Sequence, residues 1–278
     1  MIAVRDRARL VLPRPPGQGS FITDITSLVD RLFSGRLWHY QPIDLRYHDY
    51  QHTLQAAWTY LDLVEAGRAH LGPDLAPTVR DAELGFAAIL LHDTGYLKAR
   101  GDDEGTGAKY TYCHVLRSCA LSASLLPAIA CSQGEIEDVL GAIRCTGLSG
   151  IPANTTFRTA AARHVACMVA TADYLGQMGA PEYPAKVPFL YAEFAEADEY
   201  SRIPTEKRNF TSLNQLLAAT PAFWQKFVLP KLLNDFAGVY RYLSLPYPDG
   251  PNPYIQAVER NIAAISARSN PPFASVRG

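Results

Sequence analysis

Apolar residues along this chain recur at three- and four-residue spacing, and no stretch alternates apolar with polar far enough to make a useful strand. The pattern predicts an all-α bundle. Leu54, Ala57, Trp58, Leu61 and Val64 form one stripe, which predicts a helix from about Tyr47 to Ala69, ended by Gly72-Pro73. Pro77 then opens a helix whose apolar run, Leu84 to Leu91, finishes on His92-Asp93, with Gly95 as its stop. Similar spacing predicts helices over Ile25 to Phe33, over Tyr112 to Leu126, and over Ile136 to Cys145 after a start signal at Ser132 to Glu135. Arg158 to Gln177 is small and apolar on most sides, as suits a helix buried nearly all round. Beyond Pro181, helices are expected around Val187 to Ala197, Leu213 to Leu217, Phe223 to Leu243 and Tyr254 to Ala267.

Proline and glycine punctuate this pattern. Residues 1–20 carry Pro13, Pro15, Pro16, Gly17 and Gly19 and read as an extended arm. Residues 21–245 read as the helical domain, with a core of interest at about 40–180, and residues 246–278 as a proline-rich linker and a last helix. The polar loop Arg100 to Lys109 reads as mobile.

Composition narrows the function. With 278 residues and 48% hydrophobic content, the chain can bury one large core. A formal net charge of -1 gives no global field for nucleic acid or an anionic membrane, so any phosphate must be held by a few local cations. Cys113, Cys119, Cys131, Cys145 and Cys167 include no Cys-x-x-Cys pair, which argues against a disulfide framework or a thiolate zinc knuckle and suits a reducing cytoplasm. No apolar run reaches the ~20 residues needed to span a bilayer.

Four stretches carry candidate chemistry. In Tyr47-His48-Asp49-Tyr50-Gln51-His52 the two imidazoles are one helical turn apart and would share a face. His92 and Asp93 are neighbours, which share a cation only where a helix frays or ends. Asp173, within Ala170-Thr171-Ala172-Asp173-Tyr174-Leu175, lies where an ionised carboxylate costs several kcal/mol unless paired or bound to a metal. Bland readings stand beside these: His48 as a helix cap, His52 as a partly buried histidine, His92-Asp93 as a polar helix end, and Asp173 salt-bridged to Arg163. Taken together, His52, His92, Asp93 and Asp173 offer a mixed nitrogen and oxygen set suited to Mn²⁺, Fe²⁺, Zn²⁺ or Mg²⁺ with open water positions. His39, His70 and His164 read as structural.

The order His, then His-Asp, then Asp on successive helices resembles the HD-domain superfamily of metal-dependent phosphohydrolases. Tyr47 to His52 resembles the Tyr-His-Asn-x-x-His stretch of several branches, cyclic-nucleotide phosphodiesterases among them, with Asp49 where they have Asn. The resemblance covers about residues 40–180. It implies an HD-domain-like helical bundle with additional C-terminal helices. His52, His92, Asp93 and Asp173 would be metal ligands, with Asp93 able to bridge two ions, and His48 would be the general acid. Tyr112 to Ser118 resembles the His-Glu-x-Arg-Ser stretch of small HD hydrolases and implies His114 as a ligand of a second metal; alternatively His114 bonds the loop before it. The fuller dinuclear pattern has a further His downstream, and Ala142 to Gly147 has none, so one tight and at most one weak ion are expected. Lys98, Arg100 and Arg117 are candidates to hold a phosphate. The implied activity is hydrolysis of a small phosphomonoester or phosphodiester, a nucleotide above all, by metal-activated water. The alternatives are a di-iron HD-domain oxygenase, which needs two metals, and a non-catalytic ligand-binding protein.

Overall fold

A computed structural model describes residues 1–14, 21–37 and 39–269. The described residues form helices α1 (Ile2–Val11), α2 (Phe21–Phe33), α3 (Tyr50–Gly67), α4 (Val79–Leu91) and α5 (His114–Leu125), followed by α6 (Gln133–Thr146), α7 (Ala160–Met178), α8 (Tyr183–Tyr200), α9 (Leu213–Phe223) and α10 (Pro253–Ser269). The fold is all-α: among the described residues no strand forms, and Tyr40 and Ala99 make an isolated bridge. No helix among these residues is long and apolar enough to cross a membrane.

The start of the chain differs from the expected arm. Residues 2–11 are helical because Val4, Ala8 and Val11 recur on one side and bury there, while Arg7 reaches Asp62 and Glu65 on α3. Pro13 falls beyond that helix, and residues 15–20 lie outside those described. The second difference is the start of α3. Asp49 caps it, its side chain accepting the His52 backbone N–H at 2.8 Å, so Tyr50 is the first helical residue and His48 precedes the helix. Pro77 likewise does not open α4; Thr78 and Asp81 form a capping box.

In the C-terminal part, α8 runs through Pro188 and is longer than expected. The helix expected over Phe223 to Leu243 continues from α9 only as far as Asp235, through π-helical turns at Trp224–Val228 and Lys231–Asp235 joined by helical Leu229 and Pro230. Left-handed Ala237 and Gly238 then turn the chain into a 3₁₀ segment, Val239–Leu243.

At the centre lies α7, which packs on α3, α4 and α6. Its small residues let backbones approach closely: a Cβ at Gly176 would lie 2.8 Å from the Ala56 Cα of α3. Tyr60 of α3 is fully buried and donates its hydroxyl to the Ala82 carbonyl of α4 at 2.7 Å. The three helices that carry His52, His92-Asp93 and Asp173 are thereby clamped together.

Candidate metal centre

The local sequence sets each donor. The Asp49 cap puts His52 in the first turn of α3. α4 ends at Leu91; His92 keeps helical angles (φ -58, ψ -33), but Asp93 departs to φ -103, ψ 7, and that departure swings two neighbouring side chains onto one point. Gly95 is not a left-handed stop. It lies within the 3₁₀ turn Thr94–Tyr96, where a Cβ would sit 1.9 Å from the His114 carbonyl oxygen, so glycine is needed for this turn to press against α5. Ser118 of α5 locks that approach, donating its hydroxyl to the His92 carbonyl and accepting the Gly95 N–H at 2.8 Å.

Four donor atoms converge. His52 Nε2 and His92 Nε2 are 3.3 Å apart; Asp93 Oδ2 is 3.2 Å from each, and Asp173 Oδ1 is 3.3 Å from each. Donors about 2.0–2.2 Å from one ion stand about 2.8–3.1 Å apart at right angles and about 3.3–3.6 Å apart at the tetrahedral angle. The observed spacings fall in that range, and the His52, His92 and Asp93 donors alone form a group that could hold a metal ion.

Hydrogen bonding makes the same case. His92 Nδ1 donates to the Ile89 carbonyl at 2.7 Å, so the neutral ring presents the lone pair of Nε2 to carboxylate oxygens and to another imidazole nitrogen. Facing acceptors are stable only with a proton or a cation between them. Asp93 Oδ2 is buried and makes no hydrogen bond. Compare Glu83, equally buried, which receives both Arg14 and Arg80. Asp93 and Asp173 pair with no Lys or Arg among the described residues; the Arg163 bridge considered for Asp173 does not form, and histidines stand there instead. Burial opposes charge on His52 and His92, yet the two carboxylates outweigh it and raise both imidazoles above their ordinary range, His92 most. The same pairing outweighs burial at Asp93 and Asp173 and holds both well below the usual carboxylate range.

His114 bonds the loop before it and also lies near the cluster. Its Nδ1 donates to the Thr111 carbonyl in the preceding loop at 2.6 Å, and its Nε2 lies 3.8 Å from Asp93 Oδ1, the carboxylate oxygen opposite the cluster. Burial lowers its basicity and leaves that lone pair free. His48, although outside the helix, also reaches the site, its ring 6.0 Å from that of His52. Two partners were not legible in the sequence. Glu193 of α8 accepts His48 Nδ1–H at 2.6 Å and the Tyr47 backbone N–H at 2.8 Å, and Tyr96 stacks against both the His48 and His114 rings, at 4.7 and 4.5 Å, those two rings being 6.3 Å from each other. The one signal for Glu193 was an acid a helical turn before Ala197 on an otherwise apolar face.

The cations considered for phosphate are engaged within the protein. Lys98 donates to the Gly105 carbonyl at 2.6 Å and pairs with Asp44 at 3.1 Å. Arg117 donates to the carbonyls of Gly95 and Leu97 at 2.6 and 2.8 Å and lies over the Tyr110 ring, and Arg100 donates to the Gly35 carbonyl. Arg117 thereby satisfies carbonyls that the turn after Asp93 leaves open. The loop expected to be mobile is tied down as well: Asp102 takes Lys109 and Tyr110, and Thr106 binds Glu196 of α8. His164 and His70 stand apart, bonded to or stacked on Tyr242 and Tyr247, and the five cysteines are free thiols. No family model and no curated protein matches this chain.

Proposed function

We propose that this chain is a metal-dependent hydrolase of small phosphomonoesters or phosphodiesters, nucleotides foremost, built on an HD-domain-like bundle. The observation that carries the reading is the convergence of two imidazole lone pairs and two carboxylates beside a separate, carboxylate-oriented histidine. His52, His92, Asp93 and Asp173 would hold one divalent ion, whose chemistry when bound is to acidify a water and polarise a phosphoryl oxygen. The side chains of Asp173, His48 and His114 are 17%, 15% and 23% exposed, against 2% for His52 and His92, so the accessible edge of the cluster is theirs. The ester is bound along that edge.

His48 is the proton donor. Glu193 engages its Nδ1 and leaves Nε2 to protonate the departing alkoxide. Tyr96, stacked against His48 and His114, restrains both rings. Lys98 and Arg117 are engaged within the protein, so recognition of the anion would fall chiefly to the ion that His52, His92, Asp93 and Asp173 would hold. The phosphate-ester class follows from the sequence resemblance.

The test is elemental analysis of protein purified without chelator, joined to a screen of phosphomonoesters and cyclic nucleotides under Mn²⁺. Turnover that disappears together with the metal in Asp93→Ala supports the reading; full metal stoichiometry in that variant refutes it. One observation favours a second reading: His114 Nε2 faces Asp93 Oδ1, as a ligand of a second, bridged ion would. Two fully occupied iron sites in anomalous scattering, with His114 bound to one, would favour the di-iron oxygenase.

A further inference from the structure

His52 directs Nε2 to the cluster and leaves Nδ1 buried without a hydrogen-bond partner. An imidazole that binds a cation through Nε2 carries its proton on Nδ1, and that second N–H is ordinarily given to a carboxylate, a carbonyl or a water. No carboxylate or carbonyl takes it here. Against this ring lies a cavity of about 10 Å³ lined by Tyr47, His52, Gln55, Gln177, Tyr183 and Lys186. That volume is about one water, and a water is stable in such a space only with two to four polar partners.

The lining supplies them. Gln55 gives its amide N–H to Glu182, which leaves its carbonyl oxygen as an acceptor. Gln177 presents a second amide, while Lys186 is taken by Asp49 at 2.8 Å and the Tyr47 and Tyr183 hydroxyls bond each other. The placement follows the helices: Gln55 is one turn beyond His52 on α3, and Gln177 one turn beyond Asp173 on α7.

We propose that this cavity is the site of one ordered water that accepts the His52 Nδ1–H and is shared by the side-chain amides of Gln55 and Gln177. Both glutamines are then positioning residues for a metal ligand, fixing the tautomer and ring angle of His52 from behind. The proposal rests on the reading of His52 as a ligand.

The full chain is titrated with Zn²⁺ against a chromophoric chelator, as wild type and as Gln177→Leu, and the zinc-loaded wild type is crystallised. Zinc affinity 10- to 100-fold weaker in the variant, with stoichiometry at saturation and metal-free melting temperature unchanged, is the expected result. Density for a water within hydrogen-bond distance of His52 Nδ1, and a slowly exchanging Nδ1 proton in ¹⁵N imidazole spectra that exchanges faster in the variant, complete it. Unchanged zinc affinity, or a glutamine amide bonded directly to Nδ1, overturns the water. If Gln177→Leu does not fold, the wild-type density and proton exchange decide alone. His52→Ala separates the two claims: full zinc retention there defeats the metal centre itself, whereas loss of zinc there with normal binding by Gln177→Leu defeats only the water.

Discussion

Metal uptake by this cluster must release protons, and the structure sets how many. Asp93 and Asp173 raise His52 and His92 above the ordinary imidazole value of 6.5, so the metal-free cluster carries protons at neutral pH that an ion has to displace. The two Nε2 atoms are 3.3 Å apart, and protonating both would set two N–H groups against each other. The pair therefore resists holding both protons at once, and displacement of one proton per ion is the expected count. One proton per ion makes the dissociation constant about tenfold weaker per unit fall in pH, or about 1.4 kcal/mol, and about a hundredfold weaker over two units. Stability of the metal-free protein runs the other way. The raised histidines contribute stability that is fully present below about 6.5 and is lost as pH rises through their folded values. The depressed carboxylates contribute stability present above about 3.9 and lost as pH falls through theirs. The cluster's contribution to the stability of the metal-free protein is thus greatest between about pH 4 and 6.5, and a bound metal would extend it upward. Calorimetric titration with Zn²⁺ in buffers of different ionisation enthalpy counts the protons, and chelator competition at three pH values gives the slope. Binding without proton release, at a pH-independent affinity, would refute the assignment of these nitrogens as ligands.

Asp93→Ala should remove both metal and activity, since it leaves the two imidazoles without their shared carboxylate; elemental analysis and turnover read this. His48→Ala should retain the metal and lower kcat by ~10² to 10⁴, less for nitrophenyl esters whose leaving group needs no proton, and equal losses on both ester types would remove the acid role. His114→Ala should weaken a second ion and spare the first, as anomalous scattering from Mn²⁺-soaked crystals would report. Gly95→Ala must displace the His114 carbonyl, at a cost of ~3 kcal/mol. Its melting temperature should fall by about 5–10 °C, and a shift under 2 °C would mean that this contact yields freely.

What was legible in the sequence depended on range. Helical periodicity is local, so α4, α6 and α7 emerged within a few residues of their ends. The His92-Asp93 pair could be read as a cation site because its geometry depends on one helix end alone. Where a side chain settles the outcome, periodicity failed. Asp49 capping α3 moved His48 off the helix, and the buried stripe of α1 outweighed the prolines that follow it. The partners of His48 and Lys98 were illegible for another reason. Glu193 lies far along the chain from His48, and no spacing rule links an acid in α8 to an imidazole before α3. Cations near a motif look available in sequence, but only the folded chain reveals that the turn after Asp93 leaves carbonyls that Arg117 must satisfy.

Without an ion, the buried charge of this cluster is offset, among the described residues, by its own imidazoles alone. Asp93 and the two imidazoles are nearly fully buried, on or at the ends of α3 and α4, and α7 brings Asp173 against them through contacts that permit little relaxation, as Gly176 against Ala56 illustrates. A buried carboxylate elsewhere in this protein, Glu83, is neutralised by two arginines, which is sufficient for stability alone. At Asp93 two imidazoles stand in place of arginines, so its charge is offset by a proton on a ring or would be offset by a cation. A ligand that binds the folded state alone stabilises it by about 4 kcal/mol at a thousand times its dissociation constant. One divalent ion in this position would tie α3, α4 and α7 together, through donors from the first turn of α3, the end of α4 and, for Asp173, the body of α7.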